Sequence, residues 1–176
     1  MTSLMLGLTS TDSKIFYMDK LKIEISMDFC SVDELTDTER ELVGKACEAT
    51  QSSYAPYSNF YVGAAVLLRN GKIIIGANQE NAAFPSGLCA ERTAVFAAQT
   101  NYPDDPILML AIAARDAKGL REKPVTPCGS CRQVVLQVEE RYKQPVEILL
   151  YGRSGVYRIK SIKDLLPLSF EDSDMR

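Results

Sequence analysis

Two uninterrupted apolar runs, residues 62–68 and 107–114, constrain this 176-residue chain more than any other feature. A strand with one face in water alternates apolar and polar residues, whereas a strand with no polar position needs cover on both faces. The cover has to come from helices, and the pattern supplies them. Thr36 is followed three residues later by Glu39, a capping box, after which Leu42, Val43, Ala46, Cys47 and Thr50 recur at helical spacing; this predicts a helix over 37–53. Asn70-Gly71 turns the first apolar run tightly into a second strand at 72–76.

A loop with Pro85 and Gly87 leads to a helix over 89–100, and the apolar strand 107–114 follows. Pro127 marks the entry to a helix over 128–142. Strands at 146–151 and 155–159 form a second hairpin, and a short last helix falls near 161–166. This order predicts an α/β fold, a three-layer α/β/α sandwich around a five-stranded mixed sheet. One domain is expected over 28–176. Residues 1–27 read as a leader of unknown role, in which apolar and polar residues mix without a clear period.

The chain contains no histidine. That excludes Ser-His-Asp and Cys-His catalysis and any histidine-bearing zinc site. A net charge of −3 gives no long-range attraction for phosphate backbones or anionic lipid, so nucleic acid and membrane are not expected partners. No apolar run reaches the roughly 18 residues that a membrane helix needs, and the leader has no basic stretch ahead of its apolar patch; the expected location is cytoplasmic.

Of the 5 cysteines, three fall within two short motifs, which suggests metal or redox chemistry over a disulfide framework. Cys128-Gly129-Ser130-Cys131 alone is ambiguous between a redox pair and a metal site. Cys89-Ala90-Glu91-Arg92 opens another helix and supplies a third thiolate, leaving one corner of a tetrahedral zinc open for water. Helix N-termini favour the ionised thiols. Three thiolates on a divalent ion sum to −1, a charge that Arg92 and Arg132, each beside a ligand, are placed to offset. Glu91 lies two residues after a ligand, in reach of a metal-held water, and is the expected proton shuttle. The competing reading is a structural zinc knot. It needs a fourth ligand, and Cys30 and Cys47 sit far upstream, the latter on the apolar face of the first helix.

The pairing of Cys89-Ala90-Glu91 with Pro127-Cys128-Gly129-Ser130-Cys131 resembles the signature of zinc nucleoside and nucleobase deaminases. With Pro56-Tyr57-Ser58-Asn59-Phe60-Tyr61-Val62-Gly63-Ala64-Ala65 and Asn78-Gln79-Glu80-Asn81, the chain resembles the homotetrameric cytidine deaminases from about residue 33 onward. The resemblance implies one Zn²⁺ per subunit on Cys89, Cys128 and Cys131, and hydrolytic deamination of cytidine and 2′-deoxycytidine in pyrimidine salvage. It implies that Phe60 packs on the pyrimidine, that Asn78 and Glu80 bond the ribose 3′-hydroxyl, and that the Ala90 backbone reads the base edge. It further implies a homotetramer in which Ala82 and Phe170 reach a neighbouring subunit's site. Phe84 departs from the family, where tyrosine is common. Two alternatives stay open: a deaminase of another cytosine-containing small molecule, and a non-catalytic zinc-binding interaction module.

Overall fold

A computed structural model describes residues 20–176; the first part of the leader, 1–19, lies outside the described residues. In chain order the regular elements are β1 (Asp28–Cys30), α1 (Asp37–Ala49), β2 (Tyr61–Leu68), β3 (Ile73–Ala77), α2 (Ala90–Asn101), β4 (Ile107–Asp116), β5 (Gly119–Leu120), α3 (Gly129–Tyr142), β6 (Glu147–Gly152) and β7 (Gly155–Ile159). They build a 7-stranded sheet in the order β1-β7-β6-β4-β2-β3, with β5 attached to β4.

All five expected strands are present, and β1 and β5 add two short ones, so the sheet has seven strands and not five. The sheet is mixed through a single parallel pairing, β4 with β6, across the crossover that carries α3; every other pairing is antiparallel. The strand β1 begins directly after the leader and ends a stretch in which Leu21, Ile23, Ile25, Met27 and Phe29 alternate strictly with polar residues. That period-2 signal was legible and contradicts the view of the leader as unpatterned.

The apolar runs are covered on both faces, as their composition requires. Ala65, Leu67, Ala111, Ala113 and Leu149 pack toward Leu42, Val43 and Ala46 of α1. Their neighbours Ala64, Val66, Leu110, Ile112, Ile148 and Leu150 pack toward α2 and α3. The Thr36–Glu39 capping box forms, with the Thr36 amide donating to Glu39 at 2.7 Å and the Glu39 amide to the Thr36 hydroxyl at 3.3 Å. Helix α1 is shorter than its pattern: after Ala49 it tightens into a 3₁₀ turn, Thr50–Ser52, with the Thr50 hydroxyl donating to the Cys47 carbonyl at 2.7 Å. The last helix expected from the sequence is likewise a 3₁₀ turn, Ile162–Leu165, and a further such turn, Asp172–Met175, follows it.

One glycine sets the height of the site. A Cβ on Gly76 would lie 2.4 Å from both the Ala90 carbonyl oxygen and the Ala94 amide nitrogen. Only glycine lets the first turn of α2 lie flush on β3, and that turn begins at Cys89.

Candidate active site

Cys89 and Cys128 are the N-cap residues of α2 and α3, both with extended backbone (φ −72°, ψ 152° and φ −68°, ψ 164°). Neither sulfur caps its own helix. Serine, threonine, asparagine or aspartate at that position would bond the free amides and stabilise the helix by about 1 kcal/mol, so cysteine twice over points to sulfurs engaged elsewhere. Cys131 follows in the first turn of α3 and is fully buried.

The three Sγ atoms lie within 4.8 Å of one another. Cys89 is 4.0 Å from Cys128, and Cys128 is 3.5 Å from Cys131. Two sulfurs bound at about 2.3 Å to a tetrahedral zinc stand about 3.8 Å apart, so the cluster fits that ion with little adjustment. Among the described residues this is the one such group, and Cys30 and Cys47 stand outside it. The Cys30 thiol instead donates to the Val156 carbonyl at 3.7 Å, and Cys47 packs on the α1 side of the sheet, where burial lifts its thiol to about 11.

The charge around the sulfurs is uneven. A hydrogen bond from Cys131, opposed by burial and reinforced by the Arg92 guanidinium, lowers Cys89 to about 5. Cys131 is pushed the other way, by that same bond to Cys89 and by burial. Arg92 Nη2 donates to Cys89 Sγ at 3.4 Å, while its buried Nε has no partner among the described residues. Arg132 does not share this role. Its Nε donates to the Pro127 carbonyl at 2.9 Å and its Nη1 to the Leu165 carbonyl, so it braces the approach to α3 and the C-terminal turn. Its position beside Cys131 in sequence sends its side chain away from the sulfurs.

Glu91 is 5% exposed in the first turn of α2. Burial raises its carboxyl above the usual range; its own amide pulls it down, and the nearby Cys89 charge adds to the rise. It lines a cavity of about 270 Å³ together with Phe60, Asn78, Glu80, Cys89, Ala90 and Cys128. Seven of the residues singled out in the sequence therefore meet at one hollow. Cys131 joins through its sulfur contacts. An adjoining groove of about 520 Å³ shares Ser58, Asn78, Glu80 and Cys89 with it and adds Tyr57, Phe84 and Arg92. A larger hollow, about 650 Å³, lies between the end of α3 and the C-terminal residues and contains none of these groups.

The floor of the cavity is pre-set by side-chain bonds to backbone. Asn78 Oδ1 accepts from the Val62 amide at 2.8 Å and its Nδ2 donates to the Phe60 carbonyl at 3.0 Å, leaving one lone pair and one N–H for an incoming group. Glu80 accepts from the Tyr57 and Ser58 amides at 2.9 and 3.2 Å and from the Ser58 hydroxyl. The Ser58 hydroxyl foremost, with the two amides, holds its carboxyl below the usual range against the opposing effect of burial. Ser58 is the residue that the sequence reading passed over, along with Val125 and Thr126 on the opposite wall. Phe84 is 74% exposed, with its ring edge-on to Tyr57 at 5.7 Å. Ala82 and Phe170 are exposed and do not line the cavity; the Phe170 carbonyl accepts from Gln133 Nε2 at 2.8 Å.

Such an arrangement can hold one soft divalent ion on three sulfurs, keep a fourth position for water, and set a buried carboxyl beside it. A small planar substrate with hydroxyl groups matches the aromatic and amide-lined walls.

Comparison with known proteins agrees. The sequence profile of the cytidine and deoxycytidylate deaminase zinc-binding region matches residues 36–144. A cytidine deaminase of Halalkalibacterium halodurans is 37% identical over 134 residues, 76% of this chain and 95% of that protein. One from Mycobacterium tuberculosis is 40% identical over 134 residues, 76% of this chain and 90% of its own. Among solved structures, the cytidine deaminase of Burkholderia pseudomallei superposes with a TM-score of 0.65 at 37% identity, covering 77% of this chain and 100% of that one. The crystal structure of cytidine deaminase from Mycobacterium tuberculosis gives 0.58 at 33% identity, covering 77% and 98%.

Proposed function

Because this chain belongs to the cytidine and deoxycytidylate deaminase family, we propose that it is a zinc-dependent hydrolase that converts free cytidine and 2′-deoxycytidine to uridine and 2′-deoxyuridine with release of ammonia. The observation that carries this reading is the meeting of three sulfurs, all within 4.8 Å of one another, with a buried carboxyl at a cavity of nucleobase dimensions. Cys89, Cys128 and Cys131 hold the ion. When bound, zinc supplies the Lewis acid that turns water into a nucleophile near neutral pH.

The protein's own groups do the rest. Glu91 takes the proton from the attacking water and returns protons to the pyrimidine ring and to the departing amine. Burial raises this carboxyl above the usual range, the direction that favours a group that both accepts and gives protons, which supports that assignment. Arg92, through its bond to Cys89, limits the excess negative charge that three thiolates place on the ion. Phe60 offers its ring to the pyrimidine and the Ala90 backbone reads the base edge. Asn78 and Glu80, already fixed by backbone bonds, take the 3′-hydroxyl with the acceptor capacity they retain.

The same reading makes residues 28–176 the deaminase domain and leaves the leader, 1–27, outside it. It makes the working unit a homotetramer, with Ala82 and Phe170 reaching the neighbouring subunit's site, and assigns the enzyme to pyrimidine salvage in the cytoplasm. The exposure of both residues supports the first point. No helix among the described residues is long and apolar enough to cross a membrane.

Ammonia release should be measured from cytidine, deoxycytidine, cytidine 5′-monophosphate and single-stranded oligonucleotides, with zinc counted by elemental analysis and mass by light scattering. The expected result is turnover of the two nucleosides, one zinc per chain and a mass of four chains or a multiple of four. Stoichiometric zinc with no ammonia from any substrate would leave the protein a binding module and overturn the proposal.

A further inference from the structure

We propose that residues 21–29 pair, antiparallel and centred on Ile25, with the same segment of a second copy of this chain, joining two sheets edge to edge. The segment lies outside the family match, which begins at residue 36. Its odd-numbered residues are apolar and exposed: Leu21 75%, Ile23 48%, Ile25 46%, Met27 45% and Phe29 54%. Such a face in water is unusual for an extended segment, and its strict alternation is the pattern of a strand half-covered by something. Its last two residues, Asp28 and Phe29, with Cys30 already form β1, which pairs with β7 on one side only and so presents a free edge among the described residues. A free edge with an apolar face is a template for another strand.

Charge and register choose the partner. Lys22 and Glu24 lie before Ile25, the centre of the segment, and Asp28 lies after it. An in-register parallel pair would set each Lys22 against its own copy. An antiparallel pair centred on Ile25 sets Lys22 opposite Asp28 twice, Leu21 opposite Phe29, Ile23 opposite Met27 and Ile25 opposite itself. All five apolar side chains of each copy then meet apolar side chains, with no like charges facing. Centring on Glu24 opposes two carboxylates, centring on Ser26 opposes Glu24 to Asp28, and centring on Ile23 leaves Met27 and Phe29 without apolar partners. The Lys22–Glu24 ion pair within one chain does not compete, since both side chains are about four-fifths exposed and such pairs contribute little (81% and 77%). The joined face is continuous with the sheet, because Phe29 packs on Tyr157 of β7 with ring centroids 5.0 Å apart. Residues 1–19 alternate only over Leu4, Leu6 and Leu8, which is too short to match five apolar positions.

Cysteine pairing on the full-length zinc-loaded protein tests both the partner and the register. Two cysteines join only when their Cα atoms come within about 7 Å. Ile25→Cys should give a covalent dimer on mild oxidation. Ile23→Cys or Met27→Cys alone should not, since in this register each sits about 13 Å along the strand from its own copy; a mixture of the two should. In light scattering, the double variant Ile23→Lys/Ile25→Lys should show half the mass of the wild-type protein, a single tetramer against two joined through this edge, with cytidine deamination unchanged because the contacts within each tetramer are untouched. If Ile25→Cys cross-links no faster than Ile75→Cys on the opposite sheet edge, or if the lysine variant keeps the wild-type mass, the segment is covered by this chain's own residues 1–19 or by another protein, and the proposal fails.

Discussion

Helices α1 and α2 each carry a buried glutamate in the first turn, and the two glutamates are held in opposite ways. Glu39, 4% exposed, accepts from the Thr36 amide at 2.7 Å and forms an ion pair with Arg158 at 2.8 Å. Burial would raise its carboxyl, yet these donors outweigh burial and hold it below the usual range. Glu91, 5% exposed, has sulfur and cavity around it, and burial prevails. Glu139, the third buried carboxylate, sides with Glu39: it accepts from the Val146 and Ile162 amides, each at 2.9 Å, and from the Ser161 hydroxyl at 2.7 Å. Burial of a charge is costly in either case. Where the protein satisfies the carboxylate it ties elements together; where it leaves the carboxyl short of donors beside a cavity, that capacity is kept for something that arrives from solution.

The sharpest break in the comparison comes from removing the sulfurs that create Glu91's surroundings. Cys131→Ala deletes a buried ligand at the base of α3, so zinc in the purified protein should fall from one per chain to near zero and ammonia release should drop to background. The thermal unfolding midpoint should fall as well, because ion binding stabilises the folded state alone. Retention of stoichiometric zinc by this variant would remove Cys131 from the ligand set. Next in size is Glu91→Gln, which keeps shape and removes the proton shuttle. A loss of about 10² to 10⁴ in kcat is expected, at the scale of general acid–base catalysis, with zinc content and melting temperature preserved. A near-normal kcat would place Glu91 with Glu39 among the structural carboxylates.

How far these two sites were legible in the sequence differs for a physical reason. Cys89, Glu91, Cys128 and Cys131 sit on helix starts, where local spacing alone fixes which side chains share a turn, and the apolar runs fix where those helices must pack. The Thr36–Glu39 box was legible on the same grounds. The second partner of Glu39 was not: Arg158 is 119 residues away and reaches it only because β7 lies across the sheet from the start of α1. Arg132 failed in the converse manner, since adjacency to Cys131 says nothing of which way a long side chain turns. Ser58 escaped because its role, holding Glu80 from 22 residues upstream, is set by the loop path. The edge strand β1 was missed through period alone; its alternation was there to be counted.

Glu39→Gln sharpens the comparison from the structural side and carries the smallest expected effect. The amide keeps the shape of the capping box but loses the ion pair, at a cost of about 2 kcal/mol for a hydrogen-bonded charge in a buried site. Glu147, 3.5 Å from Arg158 Nε, remains as a partial partner and limits the loss. Because the folded carboxyl is held below its unfolded value, its contribution is complete above the unfolded pKa of about 4.3 and disappears as pH falls through the lower folded value. Urea unfolding of wild type and variant should therefore differ by a constant amount from pH 7 to about pH 5 and converge under stronger acid, while kcat for cytidine stays at the wild-type level throughout the neutral range. A gap that widened on acidification would mean that burial, and not Arg158 and Thr36, governs Glu39, and the contrast with Glu91 would collapse.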